Sequence, residues 1–167
     1  MAVIKKDVPM VEHILARGAD TEIVYRGLWH REEEKRTNQI ALHFAMKYRC
    51  RVEDDETVLV RLLLRHGKGS LSKQDSLGST PIHAAVKSKW LAGLDMCLRS
   101  ATAVEINIRD KEGIDALTYA NGAGDQKMAD LIRARLNREL SSNTDRMQNL
   151  KLQQGQDGQM NEGLTSS

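Results

Sequence analysis

The eight residues from Gly78 to Ala85, GSTPIHAA, constrain the fold of this chain more than any other segment. Gly78 supplies the positive φ that a tight turn requires. Thr80 is a favoured N-cap, and Pro81 suits the first helical position, where no backbone N–H is needed. His83 lies one helical turn after Thr80, so its ring can reach the threonine hydroxyl. The octet therefore predicts a tight turn that leads directly into a helix.

The predicted helix requires partners. Its apolar face, Ile82, Ala84 and Ala85, consists mainly of small residues that allow a neighbouring helix to approach closely. A helix this short is not stable by itself in water. The octet therefore predicts further copies of the same element elsewhere in the chain.

Degraded copies of the octet occur on both sides of it. Residues 110–120, DKEGIDALTYA, repeat the pattern of residues 75–85, DSLGSTPIHAA, so that Gly113 follows Gly78 by 35 residues. Upstream, IALHFA matches TPIHAA, with His43 placed 40 residues before His83. The chain is therefore predicted to be a repeat array, with an insertion upstream of the octet.

A second element recurs between these copies. The segments VEHILARGAD at 11–20 and VRLLLRHG at 60–67 each carry an apolar stripe at helical spacing and then a glycine. Gly18 and Gly67 are predicted to adopt the left-handed conformation that commonly ends a helix. Each repeat is thus predicted to contain two helices.

These motifs resemble the ankyrin repeat family, whose TPLHxA signature opens a unit of about 33 residues. The resemblance covers roughly 140 of the 167 residues. It implies an all-α ankyrin-repeat solenoid of paired antiparallel helices with hairpin loops, spanning residues 1–140. We call the N-terminal half repeat unit one, and the three full repeats units two, three and four. Their approximate bounds are 1–20, 37–69, 75–108 and 110–140.

The sequence offers no constellation of catalytic or metal-binding residues. His43 and His83 occupy the structural histidine position of the family, and no CxxC, HxxxH or HExxH spacing gathers ligands. Cys97 lies on an apolar stripe and is expected to be a buried, inert thiol. Cys50 lies between two arginines and could be reactive, but nothing orients a base towards it. We expect neither an enzyme nor a bound cofactor.

Net charge and hydropathy restrict the cellular compartments and the classes of partner expected for the chain. The 25 basic and 23 acidic residues give a net charge of +2, which provides no bulk attraction to nucleic acid or membranes. No apolar run has the length of a membrane span, and charges at residues 5–7 interrupt the core that a signal peptide would need. We expect an intracellular, monomeric protein, cytoplasmic or nuclear, with no nucleic-acid or membrane partner.

The resemblance implies that a protein partner binds the concave face formed by the first helices and the hairpin tips. The sequence does not identify this partner. The positions predicted to be exposed on the first helices of units two to four are Lys47, Tyr48, Lys87, Ser88 and Asn121.

Two insertions depart from the regular repeat length. The stretch between Gly18 and Ile40 is about nine residues longer than the equivalent stretch after Gly67. This linker carries residue types that are enriched at interface hot spots, which makes it a second candidate for partner binding. Its candidate residues are Tyr25, Arg26, Trp29 and His30. Alternatively, Trp29 folds back and covers the open edge of unit one. The other insertion, RCRVEDDE at 49–56, is predicted to be a solvated loop, and the alternative is a charge-complementary contact with a partner.

From residue 141 to 167 the chain is rich in Ser, Asn, Gln and Gly. Such a segment cannot bury enough apolar surface to offset the entropy of ordering, so a disordered polar tail is predicted. Just before it, Arg133, Arg135 and Arg138 would lie near a helix C-terminus, where the helix dipole favours cations.

The function predicted from these observations is a non-catalytic protein-interaction module. The alternative is a scaffold or sensor segment of a larger protein whose effector or enzymatic domain lies elsewhere. The incomplete first unit is also expected of a fragment cut from a longer array, because the terminal units of a solenoid need a polar outer face.

Overall fold

The computed structural model of the protein describes residues 7–24, 38–47, 53–67 and 70–159, without the side chains of 53–56 and 149–159. Within these ranges the regular secondary structure is helical, with eight α-helices, one short 3₁₀ turn at Ser70–Ser72 and no strand. The α-helices are α1 Val8–Ala16, α2 Ala41–Lys47, α3 Glu53–His66, α4 Pro81–Lys87, α5 Leu91–Ser100, α6 Ala103–Ile106, α7 Ala116–Gly122 and α8 Gln126–Gln159.

The helices pack in consecutive pairs, α2 with α3, α4 with α5, and α7 with α8. The first helices of the pairs, α2, α4 and α7, lie side by side and form what we call the first-helix layer. The second-helix layer contains α1, α3, α5 and α8 in that order. The described chain is therefore an all-α stack of helix pairs in two layers.

Two helix starts are fixed by side-chain caps, and the one at Thr80 confirms the sequence prediction. Thr80 caps α4 and forms a capping box with His83, and Pro81 is the first residue of the helix. Asp7 caps α1 by accepting a hydrogen bond from the backbone N–H of Met10 at 3.1 Å. Both caps satisfy backbone donors that a helix N-terminus leaves free.

The core lies between the two layers and is built from aliphatic and small side chains. Ala85, Ala116, Ala120 and Ala129 are fully buried at helix contacts, as expected of short helices that approach closely. Larger side chains fill the rest of the interface, and the fully buried ones include Ile40, Leu42, Leu59, Ile82, Leu94, Met128 and Ile132.

Cys97 is buried as the sequence predicts, and Trp90 is buried as well. Cys97 is completely buried, and this burial raises the pKa of its thiol far above the usual range, which suppresses the reactive thiolate. The Trp90 ring is also buried and lies against Gly93, where a Cβ atom would clash with the indole. Both residues therefore serve packing in unit three.

The glycines that end α1 and α3 differ. Gly18 has a φ of +80° and adopts the predicted left-handed conformation. The same prediction is wrong for Gly67, which does not have a positive φ. An added Cβ at Gly67 would lie 2.7 Å from Thr21 Oγ1 and 2.8 Å from Ser70 Oγ. Gly67 is therefore needed for close approach, since neighbouring chain segments fill the space of a side chain.

Two short segments differ from the sequence predictions. The charged insertion was predicted to be a loop through residue 56, but α3 begins at Glu53, so its acidic residues form the first helical turn. A further helix, α6, was not predicted from the sequence; it is a single turn closed by a capping box between Thr102 and Glu105.

The last helix is longer than the sequence predicts. The polar stretch from residue 141 onward was expected to be disordered, whereas α8 continues to Gln159 as an extension of the helix begun in unit four. Leu140 and Met147, in the described part of α8, are exposed. None of the described helices combines the length and apolar character needed to cross a membrane.

Arg135 corrects a further prediction, because it lies inside α8 rather than near its C-terminus. Its guanidinium donates to the carbonyl of Leu98 at 2.8 Å and to that of Ala101 at 2.7 Å. An ion pair with Glu139 at 3.1 Å holds the same side chain. Arg135 thus caps the C-terminus of α5 and fixes α8 against unit three.

Candidate functional site

The turn that precedes α4 is organised by one aspartate. A carboxylate oxygen of Asp75 accepts hydrogen bonds from the backbone N–H groups of Leu77 and Ser79, both at 2.9 Å. The backbone N–H of Asp75 also donates to the carbonyl of Ser79, and the carbonyl of Asp75 accepts from the N–H of Gly78. Gly78 has a φ of +77°, which explains why glycine occupies this position.

The turn that precedes α7 has the same construction. Asp110 accepts from the backbone N–H groups of Glu112 and Ile114, both at 3.0 Å. Gly113 also has a φ of +77°, and its N–H donates to the carbonyl of Asp110. The equivalence of the two turns, 35 residues apart, is a structural repeat and not only a repeat of letters.

The two turns contact each other directly. The backbone N–H of Lys111 donates to the carbonyl of Leu77 at 3.1 Å. The side-chain amide of Gln74 donates to the carbonyls of Gly78 and Arg109, at 2.7 and 2.8 Å. An added Cβ at Gly78 would lie 2.7 Å from the Lys111 nitrogen. Gly78 is therefore required both for its φ and for the close approach of the next turn.

Each structural histidine links one unit to the next. His43 in α2 contacts the carbonyl of Ser79 through Nε2 at 2.9 Å. His83 in α4 contacts the carbonyl of Ile114 in the same way at 3.1 Å. Ser79 and Ile114 occupy equivalent positions in the two turns. The sequence predicted the local role of His83 at its cap, but this link between units emerges only from the stack.

The hydrogen bonds around His83 define its protonation. Nδ1 accepts from the backbone N–H of Thr80 at 3.2 Å and lies 2.8 Å from the threonine hydroxyl. Nε2 must therefore carry the proton and donate it to the carbonyl of Ile114, which is the neutral tautomer. Burial lowers the pKa of both His43 and His83, partly opposed by the carbonyl bond that each ring makes. Both imidazoles are thus held neutral by the fold.

A polar cluster lies beside His83, at the junction of units three and four. The Lys87 ammonium is 4.2 Å from the centre of the Tyr119 ring, 2.8 Å from Ser79 Oγ and 3.8 Å from a carboxylate oxygen of Asp110. The Tyr119 hydroxyl donates to Asp110 at 2.9 Å, and its ring meets His83 edge-on at a centroid distance of 5.9 Å. We call Lys87, Tyr119, Asp110 and His83 the junction cluster.

The junction cluster keeps Asp110 ionised. Burial of this carboxyl by itself raises its pKa, but the hydrogen bonds from Ile114, Tyr119 and Glu112 favour the charged form. The nearby ammonium of Lys87 acts in the same direction, and the net effect lowers the pKa of Asp110. The side chain of Asp110 is only 3% exposed, whereas that of Lys87 is 37% exposed. The accessible part of the cluster is therefore the lysine.

The structure describes four of the residues predicted to bind a partner. Lys47 is the exposed last residue of α2, and Lys87 is its counterpart in α4. Ser88 follows Lys87 and donates to the carbonyl of Ala85 at 3.1 Å. Asn121 in α7 is exposed, and its side-chain oxygen accepts from Arg133 in α8 at 2.8 Å. All four lie at the C-terminal ends of the first helices, so the first-helix layer groups them along one edge.

The remaining predicted residues lie outside the described part of the chain. They are Tyr25, Arg26, Trp29 and His30 in the first insertion, Tyr48 at the end of the α2 segment, and the candidate thiol Cys50. Within the described residues, no group of three or more His, Cys, Asp or Glu side chains is arranged to hold a metal ion.

Comparison with known proteins finds a weak sequence similarity to an ankyrin-repeat protein. No family model matches the chain. The chain is 32% identical to Rabankyrin-5 of Mus musculus over 94 residues, which are 54% of this chain and 7% of that protein. It is 33% identical to Rabankyrin-5 of Homo sapiens over 104 residues, 62% of this chain and 8% of that protein. Rabankyrin-5 contains ankyrin repeats, and the chain spans less than a tenth of its length.

Three residues that organise these turns and their junction, Asp75, Asp110 and Tyr119, were not predicted from the sequence. Asp75 and Asp110 each stand three residues before the turn glycine, so their recurrence at an offset of 35 was a usable signal. Tyr119 gave no such signal, because its counterpart in unit three is Ala84. Its importance depends on Lys87 and Asp110, which the fold brings to its ring.

Proposed function

We propose that the chain is an ankyrin-repeat solenoid that binds a protein partner through the exposed side of its first-helix layer and the adjoining hairpin turns. The observation that carries the proposal is the repeated junction, in which the histidine of one helix donates to the carbonyl of the next turn at 2.9 and 3.1 Å. Paired helices joined by equivalent turns form an extended surface of the kind that solenoid proteins use for binding.

The proposed surface contains Lys47, Ser88 and Asn121, together with Tyr48 and the Trp29 segment. Lys47 and Lys87 give this edge positive charge, which favours a partner with acidic groups. Lys87 has a second role because it also bridges Ser79, Tyr119 and Asp110. Replacing Lys87 would therefore disturb the junction as well as the surface, and the binding test should leave it intact.

Affinity capture from the native source, followed by identification of the bound proteins, tests this function. We expect a reproducible partner that the wild-type chain retains and that the double variant Trp29→Ala, Lys47→Glu loses. Arg65→Glu is the matched control, because Arg65 is exposed on α3 in the other layer. A partner retained equally by both variants would overturn the assignment of the surface.

A second candidate function follows from the comparison with longer proteins. Because the chain matches only 7–8% of the length of Rabankyrin-5, it could serve as a scaffold or sensor segment within a larger protein. Sequencing the full-length transcript separates the two candidates. A transcript that encodes an effector or enzymatic domain in the same reading frame supports the second, and one that encodes only these repeats supports the first.

A further inference from the structure

A groove lies between α3 and α5, in the second-helix layer and away from the proposed binding edge. Its volume is about 480 Å³, which is within the usual range of ligand-binding clefts. The residues that decide its chemistry come from two consecutive units, Arg61 and Leu64 from α3 and Ala92, Asp95, Met96 and Arg99 from α5.

The apolar part of the groove lining is Leu64, Ala92 and Met96, and its polar part is Thr57, Arg61, Asp95, Arg99 and Ser100. Leu64 and Met96 are partly buried and pack against the hydrophobic core, while Ala92 leaves space beside them. Methionine adapts its shape readily to different partners because its side chain is unbranched and polarisable. The groove therefore suits an aliphatic or aromatic side chain inserted between the two helices.

Two arginines and one aspartate line the groove, so its side chains carry a net positive charge. Arg99 is satisfied by Asp95, with both Nε and a terminal nitrogen at 2.8 Å from the same carboxylate oxygen. Arg61 makes no ion pair and no hydrogen bond with any part of the chain that the structure describes. Among the described residues that line the groove, the exposed guanidinium of Arg61 is thus the charged group without an ion-pair partner.

We propose that this groove docks an amphipathic helix from a partner protein, with a carboxylate on Arg61 and aliphatic side chains on Leu64, Ala92 and Met96. A guanidinium recognises a carboxylate through two parallel hydrogen bonds, which fixes the orientation of the bound segment. A helix that lays its apolar face into a groove on its partner is a common mode of recognition. The site is independent of the surface proposed above.

Selection from a displayed library of 16-residue helical peptides tests the proposal, with Leu, Ala, Glu and Lys allowed at each exposed position. We expect selection on the full wild-type chain to enrich peptides with Glu one helical turn from Leu. Binding of an enriched peptide should weaken at least about tenfold with Arg61→Glu. The Met96→Asp variant should also weaken it, because it places a carboxylate among the apolar contacts.

Arg65→Glu is the matched control, since Arg65 is exposed one turn further along α3 and does not line the groove. Circular dichroism of each variant establishes that it is folded before binding is measured. The proposal is overturned if no peptide is enriched, if the enriched peptides are basic, or if Arg61→Glu weakens binding no more than Arg65→Glu does. Retained binding to Lys47→Glu would show that the two surfaces are separate, and its loss would overturn this location.

Discussion

The junction between units two and three and the junction between units three and four share one device and differ in another. In both, the histidine of a first helix donates to the carbonyl of the next turn, at 2.9 Å from His43 and 3.1 Å from His83. The second junction adds Tyr119. Its ring contacts the Lys87 ammonium and meets the His83 ring edge-on, and its hydroxyl donates a hydrogen bond to Asp110.

A single position accounts for much of this difference. Lys47 and Asp75 in the first junction are the counterparts of Lys87 and Asp110 in the second, but Ala84 stands where unit four has Tyr119. In the first junction Asp75 instead accepts a long bond of 3.5 Å from Gln39. The comparison teaches that the histidine bond sets the register of the stack, and that the aromatic ring adds stability to one junction.

The largest expected loss of stability comes from substituting Gly78, because its turn packs closely against Lys111 in the second junction. Gly78→Ala should lower the free energy of unfolding by about 3 kcal/mol, because left-handed strain adds to a clash with the Lys111 nitrogen. Gly113→Ala is the matched control, with the same φ of +77° and no atom within 4 Å of the added Cβ. It should cost only about 1 kcal/mol. Urea denaturation measures both, and equal losses would contradict the close approach of the turns.

Removing the shared histidines should have the next largest effect. His83→Ala and His43→Ala should each lower the free energy of unfolding by about 2 kcal/mol, because a buried carbonyl loses its donor and a cavity remains. The loss for His83 should exceed that for His43, since only His83 also contacts the Tyr119 ring. Denaturation of both single variants under the same conditions measures the two losses. If His43→Ala left the free energy of unfolding unchanged, the histidine bond would not set the register of both junctions.

Acidification should weaken both junctions together. Burial lowers the pKa of His43 and of His83 below the 6.5 of an unperturbed histidine, so the unfolded chain binds protons first as the pH falls. Stability is therefore complete above about pH 6.5 and falls progressively as the pH drops from 7 to about 5.5.

Denaturation over this pH range tests the prediction. The lowered pKa of Asp110 means that this carboxyl affects stability only at more acidic pH, so it does not obscure the effect of the histidines. The charged groups near His83 are Lys87, Asp110 and Asp115, and Asp75 is near His43. The variant His83→Asn should show roughly half the pH dependence of the wild type. An unchanged pH dependence would assign the effect to other groups.

The smallest expected effect isolates the ring that distinguishes the second junction. Tyr119→Phe should cost about 1 kcal/mol, because the Asp110 carboxylate loses a hydrogen bond and the ring remains. A double-mutant cycle between Tyr119→Leu and Lys87→Met should give a coupling of about 0.5 to 1 kcal/mol from the ammonium above the ring. Additive losses in this cycle would show that the cation–π contact contributes no stability.

Local sequence was a good guide wherever a few adjacent residues decide a conformation. The cap at Thr80, the cap at Asp7 and the positive φ of Gly78 and Gly113 were all predictable, because each depends on residues within one helical turn or one tight turn. The conformation of Gly67 was not, because its requirement for glycine comes from Thr21 and Ser70 packed against it.

The candidate binding surface was only partly predictable for a related reason. Helical periodicity predicted that Lys87 and Asn121 are exposed at the ends of the first helices, and both side chains are exposed at those positions in the structure. It could not reveal that Lys87 contacts Ser79, Tyr119 and Asp110, or that Asn121 accepts from Arg133. Exposure is a property of one helix, whereas these contacts need two elements to meet.

The sequence by itself determined the all-α class, the approximate period of the repeat and the turn that opens its most regular unit. Only the tertiary structure decided how the units are joined, with His43 linked to Ser79 and His83 linked to Ile114 across 36 and 31 residues. It also decided that Arg135 caps α5 instead of its own helix. The physical reason is that caps and turns are local, while a junction exists only after stacking brings a donor and an acceptor from separate units within hydrogen-bond distance.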